Sequence, residues 1–249
     1  MDGETSESDE LFVPVDVPIG PPPEGLAVPQ FFPPPTATTA DGLLCVGGRL
    51  SPEWLLDAYR HGIFPWPMWA DDPTAWWSPD PRAVIELDGL HVARRLRRTI
   101  RSGKFTVSCD RDFRGVILGC ATAGDRTDNT WLMPNMVAAY CRLHELGHAH
   151  SVEVWQDGVL AGGTYGVTIG ALFAAESMFH RVTDASKVAV AALVAHLRVR
   201  SYELLDIQQW TPHTGSLGAT QIARTEYLQR LAQAVNRSVT FGEYLQGDP

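Results

Sequence analysis

The residues best suited to chemistry stand in two short apolar segments. In Leu204-Leu205-Asp206-Ile207-Gln208 a carboxylate and a carboxamide lie two residues apart. In a strand that spacing puts Asp206 and Gln208 on one face, with Leu205 and Ile207 on the other. A carboxylate among apolar neighbours must find donors or shift its pKa. The pattern suits an acid–base pair in a site, or a structural Asp capping the loop before Thr211-Pro212-His213. The residues alone leave both open. Glu176 in Phe173-Ala174-Ala175-Glu176-Ser177-Met178-Phe179 poses the same question. Glutamate is depleted in strands and costly to bury. It is either an active-site acid or an edge-strand residue paired with Arg181.

Two further groups suit a nucleic-acid partner. Trp66, Trp69, Trp76 and Trp77 crowd a proline-broken loop, with Trp131 farther on. Tryptophans can stack on any nucleobase or glue such a loop to the body. Arg94, Arg95, Arg97, Arg98, Arg101 and Lys104 form a basic island. On a helix with Leu90, Ala93, Leu96 and Ile100 turned inward, these charges repel one another, and a polyanion would relieve that cost. A merely solvated face is the alternative.

Other chemistries lack support. His144-Glu145-Leu146-Gly147-His148 matches the H-E-x-x-H zinc pattern letter for letter. That site needs both histidines on one uninterrupted helix, and Gly147 falls where the helical pattern ends. No metal is expected, and the two histidines read as cap or packing residues. There is no phosphate-binding G-x-x-x-x-G-K-[ST] loop, no strand-linked G-x-G-x-x-G and no nucleophile elbow around Ser177 or Ser216. Cys45, Cys109, Cys120 and Cys141 form no C-x-x-C pair and suit reduced, buried thiols. No apolar run approaches the ~18 residues of a membrane span, and the acidic N-terminus lacks a signal core. A cytoplasmic enzyme without membrane contact is expected.

The elements that must position these groups follow from pattern. The net charge of −9 is misleading, since the eight acids of residues 1–48, where Lys and Arg are absent, account for nearly all of it. Residues 1–30 read as a flexible acidic and Pro-rich tail, 31–80 as a small N-terminal domain and 81–249 as the catalytic domain. Phe31 and Phe32 mark where contact with the body begins. Ser51-Pro52-Glu53 opens a helix that stops by Gly62. A basic helix is predicted over 91–102, an extended stretch over 104–108 and a helix opened by Asp110. Then come a helix over 136–146, strands over 151–155, 160–168 and 171–178, a helix capped by Asp184, a strand over 203–208 and a last helix over 225–235. The sum is an α/β (α+β) fold, a mixed sheet with flanking helices.

Several ordered blocks resemble the bacterial leucyl/phenylalanyl-tRNA–protein transferases. They include Gly62-Ile63-Phe64-Pro65-Trp66, Trp76-Trp77-Ser78-Pro79-Asp80-Pro81-Arg82, Glu176-Ser177-Met178-Phe179, Asp206-Ile207-Gln208 and Ser216-Leu217-Gly218-Ala219. The resemblance runs from about Gly42 to Leu231. It implies an N-acetyltransferase-like domain behind the small N-terminal one. It also implies transfer of Leu or Phe, with Met a further donor, from aminoacyl-tRNA to acceptors with N-terminal Arg or Lys, marking them for degradation without a cofactor. By the same resemblance Trp66 and Trp131 hold the terminal adenosine, and Asp206 and Gln208 form a proton-relay pair with Glu176 beside the acceptor. Phe173 and Thr164 belong to the aminoacyl pocket, and the arginine-rich helix is the tRNA-binding patch. Thr164 stands where a well-known member has Met. Arg49, Ala174-Ala175 and Met133 also depart from the pattern, the last forfeiting a helix cap. An acyl-CoA-dependent N-acetyltransferase would share the fold, and a non-enzymatic tRNA- or N-terminus-binding module would share the basic helix.

Overall fold

The computed structural model describes residues 13–14, 27–68, 73–123, 130 and 132–247. Its N-terminal unit is an antiparallel sheet of β1 (Val13–Pro14), β2 (Leu43–Val46), β3 (Phe64–Pro65) and β4 (Ala75–Trp77), in the order β1-β2-β4-β3. Helix α1 (Pro52–Arg60) joins β2 to β3. Pro52 takes the first helical turn, where its missing N–H is not needed. Gly62 then leaves the helix at φ +76°. Contact with the body is in place at Gln30 and Phe31, whose N–H groups donate to Asp57 at 2.9 Å, and Phe31 stacks on Trp54. Except for Val13–Pro14, the expected tail up to residue 26 lies outside the described residues.

The main sheet has seven strands: β5 (Arg82–Ile85), β6 (Thr106–Cys109), β7 (Ala149–Gln156), β8 (Val159–Ile169), β9 (Leu172–His180), β10 (Leu204–Gln208) and β11 (Thr220–Ile222). Their order is β11-β5-β10-β9-β8-β7-β6. Among the described strands only the β9–β10 pair is parallel, because α5 (Ala185–Val199) carries the chain across between them. One face of the sheet packs α1, α3 (Phe113–Thr122), α4 (Pro134–Glu145) and α7 (Arg224–Ala234); the other packs α5 and α2 (Arg94–Arg101). The first core crosses residue 80 without a break, since Phe64 and Trp76 share it with Phe113, Tyr165 and Tyr227. The glycines of β8 let the helices close on it: a Cβ on Gly162 would sit 2.7 Å from that of Ala185, and one on Gly163 3.0 Å from Val116. Among the described residues no helix is long and apolar enough to cross a membrane.

Several expected details change. The cap of α3 is Asp112, whose side chain accepts from Gly115 N; Asp110 instead binds His150 and the Ser151 N–H. Asp184 makes no side-chain cap to α5 and pairs with Arg95 across to α2. Helix α2 begins at Arg94, which leaves Ala93 exposed at its cap while Leu96 is buried. Met133 leaves α4 without a side-chain cap, as its apolar side chain dictates.

Candidate active site

Strand β10 brings Asp206 into the first core, where it is 1% exposed. Leu205 packs in the second core and Ile207 against it, so the alternation read from the sequence operates there. The donors that burial demands come from far along the chain. Arg82 on β5 donates to Asp206 from Nε at 2.9 Å and from Nη2 at 2.6 Å, and Tyr227 on α7 donates at 2.8 Å. The Gln208 N–H donates to Asp206 Oδ1 at 2.9 Å. These four bonds fill the lone-pair sites of the carboxylate. Arg82 also donates to the Gly62 carbonyl at 3.0 Å, and its guanidinium lies 4.8 Å and 4.5 Å from the centres of the Phe64 and Tyr227 rings. Burial alone would lower the Arg82 pKa, yet the facing Asp206 carboxylate raises it.

Two irregularities re-aim side chains beside this pair. The β8–β9 ladder pairs Tyr165 with Ser177 and Gly166 with Ala175, so Glu176 is an extra residue on its strand. The β10–β5 ladder slips between Asp206 and Gln208, and Gln208 takes φ +57°. Bulges concentrate where a sheet must redirect a side chain, and a non-glycine positive φ carries strain that its surroundings must hold. The result is a meeting of Gln208 and Glu176: Gln208 Nε2 donates to Glu176 Oε1 at 2.8 Å. Tyr140 donates to Oε2 at 2.9 Å and lies 2.6 Å from the hydroxyl of Tyr59. Arg181 does not pair with Glu176; it donates to the Leu160 carbonyl. Burial pushes the Glu176 carboxyl up to about 7, against hydrogen bonds from Tyr59 and Tyr140 that pull it down. Burial, with Glu176 nearby, pushes both tyrosines well up, which keeps them phenolic donors.

Against Glu176 and Gln208 lies a cavity of about 100 Å³, walled by Ile85, Thr164, Met178, Val190, Leu193 and Ile207. Thr164 lines it, with its hydroxyl spent on the Ser177 carbonyl at 2.9 Å. Phe173 is not among these lining residues; it is fully buried in the second core, its ring 5.8 Å from that of Phe241. A second, open cavity of about 330 Å³ is lined by Trp66, Pro67, Met68, Trp77 and Gln209. Trp66 is 42% exposed there, while Trp77 donates its indole N–H to the Trp66 carbonyl. Trp76 is fully buried and serves the core. Trp69 and Trp131 lie outside the described residues.

On α2, Arg94, Arg97, Arg98 and Arg101 are exposed, and among the described residues no carboxylate pairs with them. Arg95 is tethered to Asp184 at 3.0 Å, and Lys104 lies over the Phe105 ring. The H-E-x-x-H run does not form a two-histidine helical face. Helix α4 ends at Glu145, and Gly147 turns the chain at φ +78° before His148. His144 meanwhile stacks on Phe113 and bonds the Ala149 carbonyl. Sequence reasoning missed Arg82, Tyr59, Tyr140 and Tyr227 as site residues. Arg82 closes one of the blocks that carry the family resemblance, but no role was read for it; the need of a buried Asp206 for donors was the further signal.

The sequence model of the leucyl/phenylalanyl-tRNA protein transferase family matches residues 84–232, and that of the family's N-terminal domain matches residues 48–80. Proteins named leucyl/phenylalanyl-tRNA–protein transferase are similar over most of the chain. The one from Solidesulfovibrio magneticus is 52% identical over 86% of this chain and 87% of its own. The one from Azotobacter vinelandii is 54% identical over 75% and 82%. A solved GCN5-related N-acetyltransferase from Kribbella flavida aligns at a TM-score of 0.38 and 13% identity over 69% of this chain and 61% of its own, too loose a likeness to carry weight. On these sequence matches the chain belongs to the leucyl/phenylalanyl-tRNA–protein transferase family of aminoacyltransferases.

Proposed function

We propose that this enzyme transfers Leu or Phe from an aminoacyl-tRNA to the N-terminal Arg or Lys of acceptor proteins in the cytoplasm, marking them for degradation. The observation that carries the reading is the contact between Gln208 and Glu176 at the edge of a small apolar cavity. The cavity is on the scale of the ~150 Å³ apolar void that holds benzene, which suits the side chain of the donor amino acid. The ester of a charged tRNA is already activated, and an α-amine with a pKa of ~7.7–8.0 has a usable neutral fraction near pH 7. Alignment can then supply much of the rate. The amine nitrogen attacks the ester carbonyl, the C–N bond forms as the C–O bond to the 3′ oxygen breaks, and the amine proton ends on that oxygen.

In this scheme Gln208 accepts a hydrogen bond from the attacking amine through its carboxamide oxygen, its Nε2 being engaged by Glu176. Asp206 acts as a positioning residue. With its lone pairs taken by Arg82, Tyr227 and the Gln208 N–H, it holds the strained Gln208 backbone and accepts no proton from the amine. Glu176, ionised above about pH 7, pairs with the cationic side chain of the acceptor's first residue. Trp66 stacks on the terminal adenosine, and the α2 arginines with Lys104 contact tRNA phosphates. The test is transfer of labelled Leu or Phe from charged tRNA to a peptide beginning with Arg. Wild type should transfer and Gln208→Ala should lose most of kcat. Wild type inactive with every charged tRNA but active with acetyl-CoA would favour acyl-CoA-dependent acetylation. Binding of tRNA without any transfer would favour a non-enzymatic module.

A further inference from the structure

Trp210 is an indole two residues beyond Gln208 and is 45% exposed. The family reading gives it no task. Its setting holds it in place rather than leaving it loose. A Cβ built on Gly215 would lie 2.6 Å from Cζ2 and 2.8 Å from Cε2 of the indole, so the ring rests on bare backbone. The loop beneath it is tied by a reciprocal pair: Thr214 N donates to Thr211 Oγ1 at 3.1 Å and Thr211 N to Thr214 Oγ1 at 2.9 Å. Pro212 follows at the start of α6 (Pro212–Gly215). An aromatic plate fixed on one side and open on the other has already lost the freedom that binding would otherwise have to take.

Its neighbours indicate what covers it. On one side Gln209 lines the open cavity with Trp66 and Met68. On the other, the end of α6 is stitched to the segment that leads into α2, since His91 N donates to the Leu217 carbonyl at 2.9 Å. The residue before Trp210 thus shares a cavity with the exposed Trp66, and the turn after it is bonded to the segment that leads into the exposed arginines of α2. Both flanking stretches, 209–225 and 89–109, contain no Asp or Glu. Exposed indoles near a strongly cationic helix suit a single-stranded nucleic acid, whose backbone follows the charge while its bases stack.

We propose that Trp210 is a second stacking platform for the single-stranded 3′ end of the donor RNA, taking a base that precedes the terminal adenosine. This rests on the aminoacyl-tRNA reading above. One aromatic–base stack is worth ~1–3 kcal/mol, so losing it should raise the KM for charged tRNA by about five-fold or more with little change in kcat.

The experiment compares two donors, full aminoacyl-tRNA and a minimal 3′-aminoacyl-adenosine, in wild type, Trp210→Ala, Trp210→Phe, Gly215→Ala and Trp66→Ala. Trp210→Ala should raise the ratio of the KM for charged tRNA to that for the minimal donor. Trp210→Phe should restore it, and Gly215→Ala, which lifts the indole, should raise it in the same sense by less. Trp66→Ala should weaken both donors. An unchanged ratio in Trp210→Ala, a rise confined to the KM of the acceptor peptide, or failure of Phe to restore the ratio overturns the proposal while leaving the transferase reading intact. Wild type that transfers from neither donor overturns both.

Discussion

Replacing Arg82 by Met keeps an unbranched side chain of related length and removes the charge opposite Asp206. Arg82 and Asp206 are each 1% exposed and joined by two bonds of 2.9 and 2.6 Å. Removing one partner of such a pair strands the other charge in the core, which costs ~3–5 kcal/mol. The Gly62 carbonyl also loses a donor, and the Phe64 and Tyr227 rings lose their cation. For a chain of this size that loss should lower Tm by about 6 to 20 °C. Asp206→Asn added to Arg82→Met removes the stranded charge while keeping an oxygen for the Gln208 N–H. The double variant should therefore be more stable than Arg82→Met alone, and its loss should fall short of the sum of the two single losses by ~2 kcal/mol or more. Urea unfolding of the four proteins measures this. If Asp206 acts by fixing Gln208, the double variant should also regain part of the kcat lost by Arg82→Met. A single variant within ~1 kcal/mol of wild type, or strictly additive losses, would refute the reasoning.

Three further outcomes are expected. Glu176, with its carboxyl raised to about 7 from an ordinary 4.5, is neutral below that pH and charged above it. The acceptor KM should therefore rise as pH falls below about 7, and Glu176→Gln should abolish that limb. The unfolded chain releases this proton near 4.5, so between about pH 4.5 and 7 wild type should lose stability relative to Glu176→Gln as pH rises; urea midpoints across that window show it. Thr164→Met fills the small cavity and should lower kcat/KM for Phe relative to Leu by ~10-fold or more, read from a two-donor competition. Replacing Arg94, Arg97 and Arg98 by Gln should flatten the salt dependence of tRNA binding by ~0.7–0.9 in log–log slope for each phosphate no longer neutralised, measured by titration at several salt concentrations.

What the sequence determined by itself is the set of local decisions. Pro52 at the start of α1, Gly62 and Gly147 at helix ends, the turns that bound β7 and β8, and the placing of β10 are legible because each depends on a few adjacent residues. The break in the H-E-x-x-H run was legible for the same reason. The blocks shared with known transferases made the family readable too. The short strands β2 to β5 and β11, and the helix α6, were not foreseen, since two to four residues carry too little pattern to separate strand from loop. Only the tertiary structure decided who meets whom. Arg82 and Asp206 are 124 residues apart, and nothing local could pair them. The two bulges that turn Glu176 and Gln208 toward each other arise from how neighbouring strands are registered, a property no single segment encodes. Phe173, read as a pocket wall, is buried in the second core and is not among the residues lining this cavity, since which side chains border a cavity depends on how the helices close over the sheet.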